Sequence, residues 1–252
     1  KGRIYYHIRN DTEAAETAYD FIPTHGTPGS DVLLACGIDN LPIVPIGRIS
    51  CINKEEIWIY LDKLKKHESL YDDKNQEISN KLWMKRSVHL AGGDPTIYHI
   101  IDKALAEMAD TLKGERLGGQ TTTFYKESSS TIEVSQSKEL KEQIDNGISL
   151  MTFFGHSNYA LLDFNIDDIE TYDNYGKYYT FIAMGCYAGN TFLRGRSNSE
   201  QAVLARDKGA IVYLGNSTAE AIPVLTPFAK EVYRRFANIN YGEALGDIAM
   251  QA

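Results

Sequence analysis

Two residues capable of nucleophilic and acid–base chemistry, Cys186 and His156, follow two apolar segments of the chain. Residues 148–154 are separated from His156 by one glycine, and residues 178–184 are separated from Cys186 in the same way. A thiol is only slightly ionised at neutral pH, and a neighbouring imidazole activates it by accepting its proton or by stabilising the thiolate. The pair therefore predicts covalent catalysis by a cysteine nucleophile with a histidine as its general acid and base.

The two apolar segments are expected to be buried strands that bring the pair together. Neither segment alternates apolar and polar residues, and an unbroken apolar run is typical of a parallel strand covered on both faces. In open parallel sheets functional groups gather at the carboxyl ends of strands, which lie ~4.8 Å apart. Cys186 and His156 are 30 positions apart (186 − 156), which suits one crossover connection between neighbouring strands.

The backbone around the pair offers hydrogen-bond donors for the reaction. The N–H groups of Ser157 and Cys186 are predicted to form an oxyanion hole, which requires donors aimed at the developing negative charge. Taken singly, either His156 or Cys186 could have a purely structural role. A lone cysteine beside a buried strand, for example, is commonly a small core residue. The occurrence of His156 and Cys186 at equivalent ends of successive strands favours the catalytic interpretation.

Strand and helix patterns alternate along the chain, which predicts an α/β fold with a mostly parallel sheet. The predicted strands cover residues 42–49, 86–91, 121–125, 148–154, 178–184 and 210–215. The predicted helices cover residues 53–67, 96–112, 137–146, 197–208 and 224–237. The polar and acidic stretch at residues 69–80 is predicted to be a linker.

Composition excludes several classes of function. A net charge of −8 and a pI near 5.3 disfavour nucleic-acid binding and anionic membrane surfaces, both of which call for basic patches. No apolar run approaches the ~20 residues of a membrane-spanning helix. Three cysteines are too few for a disulfide scaffold, although pairing of Cys36 with Cys51 remains open. No His/Cys cluster has zinc spacing, so we expect no metal and no cofactor.

Five segments of the chain carry a resemblance to a known family: PIVPIGRISCINKEEIWIYLDKLKKHE, LAGGD, NGISLMTFFGHSN, FIAMGCYAGNTF and KGAIVYLGNSTAE. They resemble the gingipain family of cysteine peptidases, family C25, and the resemblance runs in order from about residue 22 to 250. It implies a caspase-like fold with helices on both faces of the sheet, and cleavage of a protein or peptide substrate through a thioester on Cys186, with His156 as the catalytic histidine. PorU-type sortases of the type IX secretion system are relatives that these motifs do not separate from the gingipains. Secretion-system partners and a secreted or cell-surface location in a bacterium are therefore implied as well.

The resemblance also implies a division of the chain. Residues 1–75 are expected to be the remnant of an N-terminal α/β subdomain that carries the GRIS strand and the following helix, and residues 76–252 the catalytic subdomain. The early residues give weak strand signals and the sequence stops inside a helical pattern, so we expect a fragment of a longer protein.

Substrate-binding residues follow from the same resemblance. Asp102 lies nine residues after Gly93, the offset of the aspartate in the S1 pocket of the arginine-specific gingipains; an ordinary acidic residue on a helix is the alternative. Asn216, Ser217 and Thr218 fall on a loop that is implied to bind substrate. Ile222 occupies the position of a tryptophan in the S1 wall of those enzymes.

Two positions depart from the family pattern. Ala91 stands where gingipains have a glutamate that orients the histidine, and Ser157 replaces a glycine in a GHG motif. Asp163 is a candidate for the missing carboxylate. These departures motivate an alternative function, a catalytically impaired domain that acts as a binding or assembly module. A phosphate-binding role for the turn at 92–95 is disfavoured, because the turn lacks the usual glycine-rich patterns.

Overall fold

A five-stranded parallel sheet organises the protein. The computed structural model describes residues 29–39, 41–71, 76–126, 134–166, 168–192 and 195–252. The strands are β1 (Arg86–Ala91), β2 (Gln120–Tyr125), β3 (Leu150–Phe154), β4 (Tyr179–Met184) and β5 (Ala210–Gly215). Their order across the sheet is β2-β1-β3-β4-β5, and every neighbouring pair is parallel. The predicted mostly parallel α/β sheet is confirmed.

Helices cover both faces of this sheet. They are α1 (Lys54–Glu68), α2 (Tyr98–Leu112), α3 (Val134–Asn146), α4 (Asn198–Leu204), α5 (Ile222–Arg234) and α6 (Leu245–Gln251). Short 3₁₀ segments lie at Val32–Ala35, Ser69–Tyr71, Ile78–Lys85 and Ile169–Thr171, and a π-helical turn at Arg235–Ile239 continues α5. No helix within the described residues is long and apolar enough to cross a membrane.

Side chains of the strands point alternately to the two faces of the sheet, and each face has its own hydrophobic core. Met151 and Phe153 of β3 point toward the core shared with α3 and α4, while Leu150 and Phe154 point toward the core shared with α2, α5 and α6. All four residues are almost completely buried. Burial of a large apolar side chain stabilises a fold by ~1.5–3 kcal/mol, so packing on both faces stabilises the central strands.

A buried lysine ties α1 to β5, at one edge of the sheet. Lys63 is 1% exposed, and its ammonium donates hydrogen bonds to the carbonyl oxygens of Val203 and Ala210 at 2.9 and 2.8 Å. Burial lowers the pKa of Lys63 to about 7. The predicted N-cap is present at the other end of the same helix, where the Asn53 side chain accepts from the Glu56 N–H.

The structure differs from the sequence prediction at residues 42–49, which form no strand. Only Pro42 makes an isolated bridge, with Cys36. Two prolines, Pro42 and Pro45, remove N–H donors from the segment, and a strand interior does not tolerate this loss. Within the described residues no strand of the sheet runs alongside the segment, and its side chains at Ile43 and Val44 are exposed.

Helix ends also differ from the prediction. The helix expected to reach Lys208 ends at Leu204, because Ala205 is extended and Asp207 has a left-handed φ of 60°. Aspartate tolerates this conformation better than most residues, and the sequence pattern gives no warning of it. The last long helix begins at Ile222 rather than 224, with Pro223 in its first turn, where a missing N–H costs nothing.

Candidate active site

His156 and Cys186 lie at the carboxyl ends of two neighbouring strands. Phe154 of β3 is paired with Met184 of β4, and each candidate residue follows its paired residue by two positions. The ladder extends one step beyond the strands, since the Gly155 N–H donates to the Met184 carbonyl at 3.1 Å. The two loops therefore leave the sheet in register, which brings the residues to the same edge.

A side-chain hydrogen bond joins the two loops. The Ser157 hydroxyl donates to the carbonyl oxygen of Cys186 at 2.9 Å. A Cβ added at Gly185 would lie 2.2 Å from the same hydroxyl oxygen, so only glycine leaves room for Ser157 there. The Ser157 side chain therefore occupies the space above Gly185.

The Cys186 turn packs against the loop that follows β5. Tyr187 has a φ of 57°, which is uncommon for a bulky residue, and its N–H donates to the Thr218 carbonyl at 2.8 Å. The Gly189 N–H donates to the Asn216 carbonyl at 2.9 Å. The segment Asn216–Thr218, which the resemblance assigns to substrate binding, therefore lies directly beside the Cys186 loop.

The Cys186 thiol is half-buried and accessible. Its sulfur lies 3.7 Å from the carbonyl oxygen of Glu220, its hydrogen-bond acceptor. No hydrogen bond joins the thiol to the His156 ring in the part of the chain that the structure describes. Catalytic contacts of this kind are commonly longer without substrate and shorten in the Michaelis complex.

His156 makes its side-chain hydrogen bond with Asp94. Its Nε2 atom lies 3.0 Å from Oδ2 of Asp94, and the two side chains are 59% and 46% exposed. Both the hydroxyl and the backbone N–H of Thr96 donate to Oδ1 of the same carboxylate. The hydrogen bond from the Thr96 hydroxyl, followed by that from His156, lowers the pKa of Asp94 to about 2. A carboxylate that is ionised at any ordinary pH therefore adjoins the histidine.

Asp163, the candidate replacement for the family glutamate, has other partners. Its Oδ2 accepts from the Gly93 N–H at 2.7 Å and pairs with the Lys126 ammonium at 3.3 Å. Its Oδ1 lies against two glycines, because a Cβ at Gly92 or Gly155 would approach that atom within 2.1 or 2.5 Å. Asp163 therefore packs the turns below the site, and its backbone N–H donates to the His156 carbonyl at 2.9 Å. Within the described residues its carboxylate makes no hydrogen bond to the His156 ring, so the hydrogen bond that orients the ring does not come from Asp163.

The two predicted oxyanion-hole donors have no competing acceptor. Neither the Ser157 N–H nor the Cys186 N–H donates a hydrogen bond within the described residues. Both belong to the loops that follow β3 and β4. Ala91, at the position of the family glutamate, is 5% exposed and packs in the core with α2.

A pocket of about 390 Å³ opens beyond the ends of β1 and β2. Its lining residues are Ala91, Gly92, Tyr98, His99, Asp102, Tyr125 and Lys126. Asp102 accepts a hydrogen bond of 2.7 Å from the Tyr125 hydroxyl. Asn216, Ser217 and Thr218 do not line this pocket; they lie on the β5 side of Cys186. No group of three potential metal ligands gathers among the described residues.

Asp94 and Tyr125 are the site residues that the sequence prediction missed. Asp94 begins the pattern Asp-Pro-Thr just before a helix, a signal for a side chain that hydrogen-bonds the backbone two residues on. That signal indicates a turn, and nothing in it points to His156, which lies 62 positions away. Tyr125 ends a strand, and its contact with Asp102 depends on the packing of α2 against β2.

The chain matches known proteins at the level of family and fold. Residues 4–252 match the sequence model of "Peptidase family C25". No curated protein sequence matches the chain. The crystal structure of the Arg-specific cysteine proteinase gingipain R superposes with a TM-score of 0.68 at 17% sequence identity, covering 91% of this chain and 54% of that chain.

Two further structures show the same fold. The complex of the Porphyromonas gingivalis RgpB pro- and mature domains gives a TM-score of 0.67 at 17% identity, over 91% of this chain and 56% of that one. A structure described as a protease gives 0.61 at 14% identity, over 81% and 48%. The chain thus spans about half the length of the solved structures that it resembles.

Proposed function

Because the chain belongs to peptidase family C25, we propose that it is a cysteine peptidase with Cys186 as nucleophile and His156 as general acid and base. The observation that carries this proposal is the equivalent position of the two residues, each two positions beyond a paired residue of β3 and β4. A protein or peptide is the substrate.

The proposed reaction uses the loops at the ends of these strands. The Cys186 thiolate attacks the peptide carbonyl carbon, and the carbonyl oxygen becomes an anion that the N–H groups of Ser157 and Cys186 stabilise. His156, protonated by the thiol, returns the proton to the leaving amine as the C–N bond breaks. Water then attacks the thioester carbonyl while His156 accepts its proton. The C–S bond breaks, which releases the acid product, and His156 returns the proton to the Cys186 thiolate.

Asp102 is the proposed determinant of the P1 side chain. It lies in the pocket beside Lys126, but the ammonium of Lys126 is paired with Asp163. Asp102 itself receives a hydrogen bond only from neutral Tyr125 among the described residues. The pocket therefore retains one uncompensated negative charge, which supports a preference for arginine or lysine at P1 through a charge-assisted contact. Asn216, Ser217 and Thr218 are proposed to bind the substrate on the other side of Cys186.

A sortase reaction is the alternative to hydrolysis, because the sequence motifs do not separate PorU-type sortases from gingipains. In a PorU-type sortase an amine, rather than water, attacks the thioester, and the chain acts with type IX secretion components outside the bacterial cell. Mass spectrometry of cleaved peptides in the presence of an added amino acid amide separates the two outcomes. A ligated product supports the sortase, and a free carboxylate supports the hydrolase.

A catalytically impaired binding domain is the second candidate. It is favoured by Ala91, which offers no carboxylate at the expected position, and by the Cys186 thiol, whose described hydrogen bond is to the Glu220 carbonyl rather than to His156. Such a domain would bind peptides without cleaving them.

Turnover of a peptide library distinguishes these candidates. Wild-type protein is compared with Cys186→Ala and with Cys51→Ala, a matched control at another half-buried cysteine. The peptidase proposal predicts cleavage by wild type and Cys51→Ala, and none by Cys186→Ala. A peptidyl chloromethyl ketone should label Cys186 alone. Peptide binding with no cleavage and no labelling would instead establish the binding domain.

A further inference from the structure

Asp94 is held in place independently of His156. Its backbone carbonyl accepts from the N–H groups of Ile97 and Tyr98 at 3.0 and 3.1 Å, and so begins helix α2. Its Oδ1 atom accepts from the backbone N–H and the hydroxyl of Thr96 at 2.8 and 2.5 Å. These contacts fix the carboxylate within its own turn and leave Oδ2 directed at the His156 ring.

The contact with His156 uses one defined ring nitrogen. Nε2 lies 3.0 Å from Oδ2 of Asp94, and an ionised carboxylate can only accept. The proton of the neutral imidazole is therefore drawn to Nε2, and Nδ1 keeps its lone pair. A second-nitrogen contact of this kind sets which tautomer a histidine adopts.

We propose that Asp94 is the positioning residue of this active site, which holds the His156 ring through Nε2 and so assigns the exchange of a proton with Cys186 to Nδ1. This inference rests on the peptidase function proposed above. When His156 accepts the thiol proton on Nδ1, Asp94 also stabilises the resulting imidazolium, and no covalent bond to Asp94 forms or breaks.

No other acidic side chain near the site hydrogen-bonds the His156 ring in the described part of the chain. Ala91 has no carboxylate. Asp163 uses Oδ2 for Gly93 and Lys126, and its Oδ1 is buried without a hydrogen-bond partner among the residues that the structure describes. Glu220 contacts the site through its backbone carbonyl, which accepts from the Cys186 thiol. Among the described residues, Asp94 is thus the carboxylate in hydrogen-bond contact with His156, three positions after the alanine that replaces the family glutamate.

Asp94→Asn is the most informative variant. The amide oxygen of asparagine still accepts from Thr96, so the turn before α2 is preserved. Its NH₂ group then faces Nε2 and donates to it, which favours the opposite tautomer with the proton on Nδ1. Asp94→Glu restores the charge on a longer arm, and Thr96→Val removes one anchor without touching the histidine. Asp110→Asn, near the far end of α2, is the matched control.

Two readouts do not require peptide turnover. Nitrogen NMR of the six histidines, with His156 identified by a His156→Gln spectrum, reports the tautomer directly. Alkylation of Cys186 by iodoacetamide, followed residue by residue across pH with Cys36 and Cys51 as internal references, reports its thiolate. We expect the His156 proton on Nε2 in wild type and on Nδ1 in Asp94→Asn, with Cys186 alkylation at pH 7 about tenfold slower in the variant.

Kinetics complete the test. Asp94→Asn should lower kcat with little change in KM, Asp94→Glu should recover part of the loss, Thr96→Val should fall between, and Asp110→Asn should match wild type. An unchanged tautomer and an unchanged Cys186 alkylation profile in folded Asp94→Asn would overturn the inference. If wild type cleaves no peptide while both readouts still depend on Asp94, the peptidase proposal fails and the positioning contact stands.

Discussion

The Ser157 hydroxyl donates a 2.9 Å hydrogen bond to the carbonyl oxygen of Cys186. The bond links the loop after β3 to the loop after β4, so the His156 loop and the Cys186 loop are joined beyond the sheet. It also orients the peptide unit that follows Cys186. A serine at this position therefore contributes structure where the family has a glycine.

Ser157→Ala should weaken catalysis modestly. A hydrogen bond of this kind is worth ~1 kcal/mol, which corresponds to about a fivefold loss of kcat/KM if it serves to hold the Cys186 loop. Ser149→Ala is the control, because its hydroxyl donates to the Arg86 carbonyl at the opposite end of the sheet. Steady-state kinetics measure the effect, and equal losses in both variants would contradict it.

Gly189→Ala should disrupt the turn that contains Cys186. A Cβ at this position would lie 2.1 Å from the carbonyl oxygen of Gly215, a backbone atom of β5 that has little freedom to move. Overpacking of this kind costs ~1–3 kcal/mol, so we expect a lower melting temperature together with loss of activity. Gly47→Ala, where an added Cβ meets no atom within 4 Å, should leave the melting temperature unchanged. Equal melting temperatures for both variants would refute this packing constraint.

The parallel sheet could be predicted from the sequence because the composition of its central strands is itself typical of buried parallel strands. Residues 148–154 and 178–184 are apolar without alternation, and a segment of this composition has few places except the centre of a covered parallel sheet. The same logic failed at 42–49, since apolar residues make a strand only if a partner supplies hydrogen bonds. The placement of His156 and Cys186 followed from their strands, whereas Asp94 reaches the site through a turn.

Asp102→Asn should reduce the preference for basic P1 residues. The substitution removes the uncompensated charge of the pocket and keeps the hydrogen-bonding shape. Loss of a charge-assisted hydrogen bond of ~1.5–3 kcal/mol predicts a fall of ~10- to 160-fold in kcat/KM for arginine and lysine substrates. Neutral P1 substrates should change little. Asp110→Asn on the same helix controls for a general loss of charge, and an unaltered P1 profile in Asp102→Asn would exclude Asp102 from the S1 site.

Tyr125→Phe should shift the balance between arginine and lysine. The Tyr125 hydroxyl now occupies Oδ1 of Asp102, and this hydrogen bond raises the pKa of Tyr125. One carboxylate oxygen suffices for an ammonium, but a guanidinium gains from two. The ratio of kcat/KM for arginine over lysine substrates should therefore rise severalfold. Tyr241→Phe, which contacts Lys85 near the start of β1, should leave the ratio unchanged. A constant ratio in both variants would show that Asp102 does not bind P1 with both oxygens.

Acid should destabilise the fold through His89, a histidine of β1 whose side chain is buried between the sheet and α5. His89 is completely buried on β1, and its Nε2 lies 2.9 Å from the Tyr233 hydroxyl, which contacts the Thr152 hydroxyl at 2.5 Å. Burial lowers the pKa of His89 to about 4. Between about pH 4 and the ordinary histidine pKa near 6.5, His89 binds a proton in the unfolded chain but stays neutral in the folded chain. The folding stability that depends on neutral His89 is fully present above about pH 6.5. Lowering the pH from about 6.5 to about 4 removes up to ~3 kcal/mol of it.

Urea unfolding at a series of pH values measures this effect. His89→Gln should be less stable than wild type at pH 7.5, because glutamine fills the site imperfectly, but its stability should decline less between pH 6.5 and 4. Two further variants serve as controls. His99→Gln changes an exposed histidine of α2, so its free energy of unfolding should depend on pH as in wild type. Tyr233→Phe on α5 removes the hydrogen-bond partner of His89 but leaves His89 buried, so it should keep the acid sensitivity. Parallel pH profiles for wild type and His89→Gln would show that the acid sensitivity arises elsewhere in the fold.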